Sequence, residues 1–173
     1  MRLVSIGLLI LILSSCTANE QNKPQSDAYF NIKGYFETEA NRLNQLQLPI
    51  DKSVAINGIA EQKIVKIKDF KNELSSFIAS DINKASWRGS YTVKKDRDNE
   101  LYTTTNEKIP IKKIAIHYLN QKIKWIQVIG MTDNLLYHSS DSLTYFPDSL
   151  YEIKKTQKIR LLKEKKYVMI GKF

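Results

Sequence analysis

Thiols and imidazoles are almost missing from this 173-residue chain, which has one cysteine, Cys16, and two histidines, His117 and His138. A single thiol closes no disulfide within the monomer and cannot supply the several thiolates of a structural zinc site. Neither histidine has a matching Cys or an adjacent carboxylate, so the sequence offers no metal-ligand spacing and reads both as strand histidines. Glycine is scarce at six residues, and none are arranged as a phosphate-cradling loop or a nucleophile elbow. No apolar run reaches the ~20 residues that span a bilayer. Acids are the minority: 18 carboxylates stand against 27 Lys and Arg, a net charge of +9. Internal repeats are absent, and so is low-complexity sequence beyond residue 27. What remains, 42% hydrophobic and 10% aromatic residues, is ordinary for a globular domain with a packed core and argues against disorder beyond residue 27.

The start of the chain carries an address. Arg2 precedes an apolar stretch, Leu3 to Leu13, too short for a span but of the length of a signal-peptide core. It ends in Leu13-Ser14-Ser15-Cys16, which resembles a bacterial lipobox, where one apolar and two small residues let the cleavage site lie extended in the peptidase. The resemblance implies that residues 1–15 are a lipoprotein signal peptide, and that Cys16 is thioether-linked to diacylglycerol and begins a mature chain of 158 residues. Each buried methylene of an acyl chain contributes ~0.8 kcal/mol, and stable anchoring takes more than one chain. Acylation would also remove the last free thiol, and with it any cysteine nucleophile. Residues 17–27 are polar and lack large apolar groups, so residues 16–27 read as lipidated cysteine plus flexible tether. By analogy with enterobacterial lipoproteins, where Asp after the cysteine retains the protein in the inner membrane, Thr17 points to the outer membrane. Glu20 alone falls short of the acidic clusters that resemble surface-export signals, which favours the periplasmic face.

From residue 28 the periodicity is first helical. Tyr29, Ile32, Phe36, Ala40, Leu43 and Leu46 recur at three- and four-residue spacing and predict a helix over 28–46, stopped by Pro49. Val54 and Ile56 lead into Asn57-Gly58, a tight-hairpin pair, and Ile64 to Ile67 return. Asp69 can cap a second helix with the stripe Phe70, Leu74, Phe77, Ile78 and Ile82. From Ser90 the period becomes two, broken by turns at Asp96–Asn99, Asn120-Gln121, Thr132–Asn134, Pro147 and Lys163–Lys166. Ile114, Ile116 and Tyr118 share one strand face, and Ile123, Trp125, Gln127 and Ile129 share another, which reads Trp125 as core. Leu135 and Leu162 are read as strand residues.

Consecutive hairpins cannot make the crossovers of a parallel sheet. The predicted fold is α+β: one domain, 28–173, in which two N-terminal amphipathic helices cover one face of an antiparallel meander.

Candidates for chemistry are few. Asp133, Asp141 and Asp148 fall at turns and could serve acid/base hydrolysis only if the fold brought two into one cleft. Ser139-Ser140-Asp141-Ser142 after His138 has the residue types of a hydroxyl nucleophile site, and equally those of a polar turn. No catalytic residue and no cofactor is assigned. The most distinctive pattern is cationic: Lys154, Lys158 and Arg160 alternate with Tyr151, Ile153, Ile159 and Leu161, and with Lys163, Lys165 and Lys166 form a stripe suited to an anionic partner.

Lipobox, tether and a Lys- and Ile-rich domain together resemble small Bacteroidota lipoproteins. That resemblance implies an envelope protein whose partners are its membrane, through the lipid anchor, and an envelope protein or anionic lipid; nucleic acid does not suit that compartment. The leading expectation is a non-enzymatic binding module. A carrier of a lipid or other hydrophobic ligand between helices and sheet is second, and a glycan hydrolase last.

Overall fold

The computed structural model describes residues 28–173. The signal peptide, the lipobox with Cys16 and the tether are expectations about residues 1–27 and lie outside the described residues. The chain forms a mixed α/β fold dominated by an open antiparallel sheet of nine strands, ordered β2-β1-β9-β8-β7-β6-β5-β4-β3. These strands are β1 (Pro49–Ile56), β2 (Ile59–Lys66), β3 (Thr92–Lys95), β4 (Asn99–Thr103), β5 (Ile111–Leu119), β6 (Lys122–Asp133), β7 (Tyr137–Phe146), β8 (Leu150–Ile159) and β9 (Lys165–Lys172). From β3 to β9 each strand pairs with the next, and β1 then joins the outer side of β9.

Among the described residues one helix is longer than a single turn, α1 (Ile32–Leu46). It starts later than the apolar stripe suggested because the Asn31 side chain accepts from the Gly34 N–H at 2.7 Å and fixes the cap there. The second expected helix is two separate turns, α2 (Phe70–Glu73) and α3 (Ser75–Ile78), which meet at Leu74. Ser75, Ser76, Ser80 and Asp81 compete for backbone hydrogen bonds and are poor helix interior residues. Burial survives the break, since Phe70, Leu74, Phe77 and Ile82 are all buried.

These segments cover one face of the sheet. Phe36 of α1 packs on Phe77 at 4.6 Å and edge-on to Tyr145 at 5.2 Å between ring centres. The sheet contributes Tyr102, Ile114, Ile116, Ile126, Val128, Leu143 and Tyr151. Three tyrosine–glutamate–cation clusters hold the polar atoms of this interior. Tyr145 donates to Glu39, which also binds Arg42; Tyr151 donates to Glu73, which also takes Lys52 Nζ at 2.6 Å; Tyr102 donates to Glu100, which also binds Lys95 at 3.0 Å. Burial, reinforced by these carboxylates, pushes the Tyr145, Tyr151 and Tyr102 hydroxyls to higher pKa. Burial alone would raise Glu100, but the Tyr102 hydroxyl and the Lys95 ammonium outweigh it and hold that carboxyl below its usual value.

The expected face of β6 is corrected. A bulge between His117 and Tyr118 leaves Ile123 packed on the core but turns Trp125 and Ile129 to the opposite face, where Trp125 stacks on its cross-strand neighbour His117 at 5.7 Å. Ile126 and Val128 are the β6 side chains in the core.

Candidate functional site

Antiparallel order puts alternate turns at opposite ends of the sheet. One end holds Asp96–Asn99, Asn120-Gln121 and Pro147-Asp148-Ser149, all polar or turn-forming residues. The other end gathers the β1–β2, β4–β5, β6–β7 and β8–β9 connections; the β4–β5 loop, residues 104–110, is mostly polar, and the other three carry exposed apolar side chains at or beside their tips. Leu135 and Leu136 are 89% and 66% exposed, and Leu161 and Leu162 are 98% and 62% exposed. Ile56 and Ile59 flank the third turn at 47% and 80%.

Each tip is built by its own local chemistry. In the β6–β7 turn the Asn134 side chain accepts from the N–H groups of Leu136 at 3.0 Å and Tyr137 at 2.9 Å, while Asn134 N–H donates to the Tyr137 carbonyl. That leaves Leu135 and Leu136 at the two central turn positions, where small or polar residues are usual. In the β8–β9 turn Leu162 N–H donates to the Ile159 carbonyl at 3.0 Å, and Leu161 has φ +70°. Left-handed backbone is costly for a branched, bulky side chain and cheap for Gly or Asn. The β1–β2 turn, by contrast, uses Asn57 and Gly58 at φ +51° and +88°, the residue types that tolerate them.

Backbone hydrogen bonds join the three turns into one surface. Arg160 N–H donates to the Leu136 carbonyl at 2.9 Å. Asn57 N–H donates to the Lys166 carbonyl at 2.8 Å, and Lys166 N–H returns to the Asn57 side chain at 2.9 Å.

Cations collar the leucines. Residues 158–166 hold Lys158, Arg160, Lys163, Lys165 and Lys166 against one acid, Glu164. Glu164 pairs with Lys166 at 3.3 Å. Among the described residues no carboxylate comes within 4.0 Å of the other four. Beside the β6–β7 tip an open groove of about 650 Å³ is lined by Thr105, Glu107, Lys112, Met131, Asp133, Asn134 and Leu135.

The stripe read from the sequence is partly kept. Lys154 and Lys158 share the face of β8 opposite the helices by strand register, but Lys154 is bound to Glu152 at 2.8 Å. β8 ends at Ile159, so Arg160 belongs to the turn and to the leucine end. Leu135 and Leu162, read as strand residues, are also in turns.

The three candidate acids do not converge. Asp133 lies 3.6 Å from His138, Asp148 binds Arg42 at 2.7 Å, and Asp141 takes the Ser139 hydroxyl at 2.8 Å and Lys155 at 3.4 Å. Asp133 and Asp148 flank opposite ends of β7, a strand of 10 residues, about 30 Å. Of the serine-rich segment, Ser139 and Asp141 face the helix side and Ser140 and Ser142 face away. Asp141 borders a cavity of about 200 Å³ whose lining also includes Lys155, Ser76, Ser80 and Gly130. A second cavity, about 150 Å³, lies between Leu43, Leu46, Ile50, Phe70 and Phe173. Among the described residues no cluster of three or more His, Cys, Asp or Glu is placed to hold a metal ion, and no helix is long and apolar enough to cross a membrane.

The chain matches no known protein family, no curated protein and no solved structure.

Proposed function

We propose that this chain is a lipid-anchored protein of the bacterial cell envelope, held at Cys16 in the outer membrane and facing the periplasm, and that it works by binding rather than by catalysis. The observation that carries the binding half is the leucine-tipped, cation-collared end of the sheet. A leucine at 98% exposure and φ +70° contributes almost nothing to the fold and costs it backbone strain, so its use lies outside the fold. The anchoring half rests on the lipobox resemblance.

In this reading the two N-terminal amphipathic segments are scaffold: they cover one face of the meander, the second of them as a pair of turns, and leave the hairpin end open. A ligand carrier has less support. Among the described residues two cavities beside the helices hold about 150 and 200 Å³, below the ~300–1,000 Å³ of ligand pockets. An acid/base hydrolase has less still, with its three acids apart from one another, each beside a different partner.

Two measurements test the proposal. Metabolic labelling with palmitate should mark the wild-type protein and not Cys16→Ser; equal labelling removes the anchor assignment. A photo-crosslinking residue at Leu135 or Leu161, expressed in the native host, should capture lipid or protein, whereas one at Asn120 or Ser149 should not. Equal yields from both ends would remove the hairpin end as the binding surface.

A further inference from the structure

Resting on that reading, we infer that the hairpin end is a bilayer-docking surface: the leucine tips enter the acyl boundary of an anionic membrane while the cations behind them meet lipid phosphates.

Shape favours a bilayer over a protein. The four leucines sit at the points of two adjacent hairpins and project outward, so a protein partner would need a matching pocket for each tip, whereas a fluid acyl layer admits any protrusion. Charge favours it too. Lysine is depleted at the cores of protein interfaces. Here Arg160 and Lys163 are the immediate sequence neighbours of Leu161-Leu162, and Lys158 and Lys165 lie within three residues of them. At ~3.3 Å per strand residue the cations trail the tips by roughly 3–10 Å, which is the depth between the acyl boundary and the phosphates. At the opposite end the turn tips are polar: the exposed leucines there, Leu46, Leu48 and Leu119, are 46%, 52% and 54% exposed and stand behind the tips, and Asp148 is bound to Arg42.

Backbone strain gives an independent handle. Leu161 occupies a conformation that Asn adopts more easily, so Leu161→Asn relieves the fold while removing an inserted side chain. A purely structural leucine would show the opposite pattern.

The test uses the mature chain, residues 16–173, carrying Cys16→Ser, so that neither an acyl group nor the apolar leader contributes, floated with large unilamellar vesicles of phosphatidylcholine with or without 30% phosphatidylglycerol. The unacylated chain should float with the anionic vesicles and about tenfold or more weakly with phosphatidylcholine alone or in 0.5 M NaCl. Leu135→Asp with Leu161→Asp should weaken binding at least twentyfold at unchanged circular dichroism. Lys163→Glu with Lys165→Glu should abolish the preference for phosphatidylglycerol. Leu161→Asn should bind several-fold more weakly yet unfold at higher urea. Leu161→Trp should gain fluorescence that acyl-brominated lipid quenches, over the background of Trp87 and Trp125.

Absence of binding to anionic vesicles by a folded chain, or binding indifferent to these substitutions, overturns the inference. If vesicles fail while the crosslinker at Leu135 captures a protein, the binding module stands and its partner is that protein. If neither lipid nor protein is captured at this end, the binding module falls as well.

Discussion

Gly171 stands directly opposite Tyr151 across β8 and β9, and the ring of Tyr151 lies against its backbone. A Cβ added at position 171 would fall 2.3 Å from Cε1 and Cζ of that ring and 2.4 Å from its hydroxyl oxygen, distances no relaxed structure accepts. Gly171 is not among the residues with positive φ, so Gly171→Ala tests this contact alone and not backbone preference. The ring has nowhere easy to move. It is fully buried, and its hydroxyl is held by Glu73, itself held by Lys52. Gly171→Ala must therefore expel the ring and break the Tyr151–Glu73–Lys52 cluster, or push β8 and β9 apart. Either route resembles deleting a buried aromatic, about 3–5 kcal/mol out of a total near 5–15. Urea unfolding of the Cys16→Ser chain measures it, alongside Tyr151→Ala and the double variant. With the ring already gone, the added methyl loses all three of these close contacts, so the double variant should cost little more than Tyr151→Ala. The coupling would be about 3 kcal/mol. Additive costs, or a Gly171→Ala change below about 1 kcal/mol, would refute the steric account.

Alkali should unfold the protein sharply. Tyr35, Tyr91, Tyr102, Tyr118, Tyr145 and Tyr151 all have raised pKa through burial, Tyr118 to about 12, so their stabilisation is complete below the ordinary 10.0 and is lost as pH rises from there. Each can remove up to about 1.4 kcal/mol per pH unit, and urea midpoints that stay level between pH 9 and 11 would contradict this. Acid acts through Glu100, whose folded pKa lies below 4.5: its contribution is present above that value and disappears as pH falls through the lowered one. Partial exposure keeps it to less than about 1 kcal/mol, and Glu100→Gln should flatten that limb of the pH–stability curve. Arg42→Ala strips the nearly buried Glu39 of its cation and should cost about 1–2 kcal/mol by urea unfolding, with Arg42→Lys recovering some of it. Leu161→Asn should stabilise by about 0.5 kcal/mol by relieving the left-handed strain.

Helical and strand periods carried the outline of this fold, because α1 and the hairpins bury residues at the spacings their geometry dictates. They misled where a strand is apolar on both sides. In β6, Ile123, Trp125 and Ile129 alternate as cleanly as Ile126 and Val128, and a one-residue bulge decided between them. The second helix failed because an apolar stripe records burial and not hydrogen bonding: Phe70, Leu74 and Phe77 stay buried while serines interrupt the helix. The hairpin end was half legible. Its cations stood out, but Leu135-Leu136 and Leu161-Leu162 were absorbed into neighbouring strands as apolar residues are. Their signal was position: one pair follows Asp133-Asn134, a strong turn pair, and the other abuts a lysine-rich turn, so both leucine pairs had to be turn residues.

The long strands β6, β7 and β8, running between a leucine end and a polar end, make the sheet a pillar with a foot. With the foot on a lipid surface the strands stand along the membrane normal, and β7 alone, at 10 residues, lifts the Asp148 turn about 30 Å above it. The polar turns at Asp96–Asn99, Asn120-Gln121 and Pro147–Ser149 then form a platform at fixed height, held beyond the lipid headgroups and presented to whatever crosses the space above.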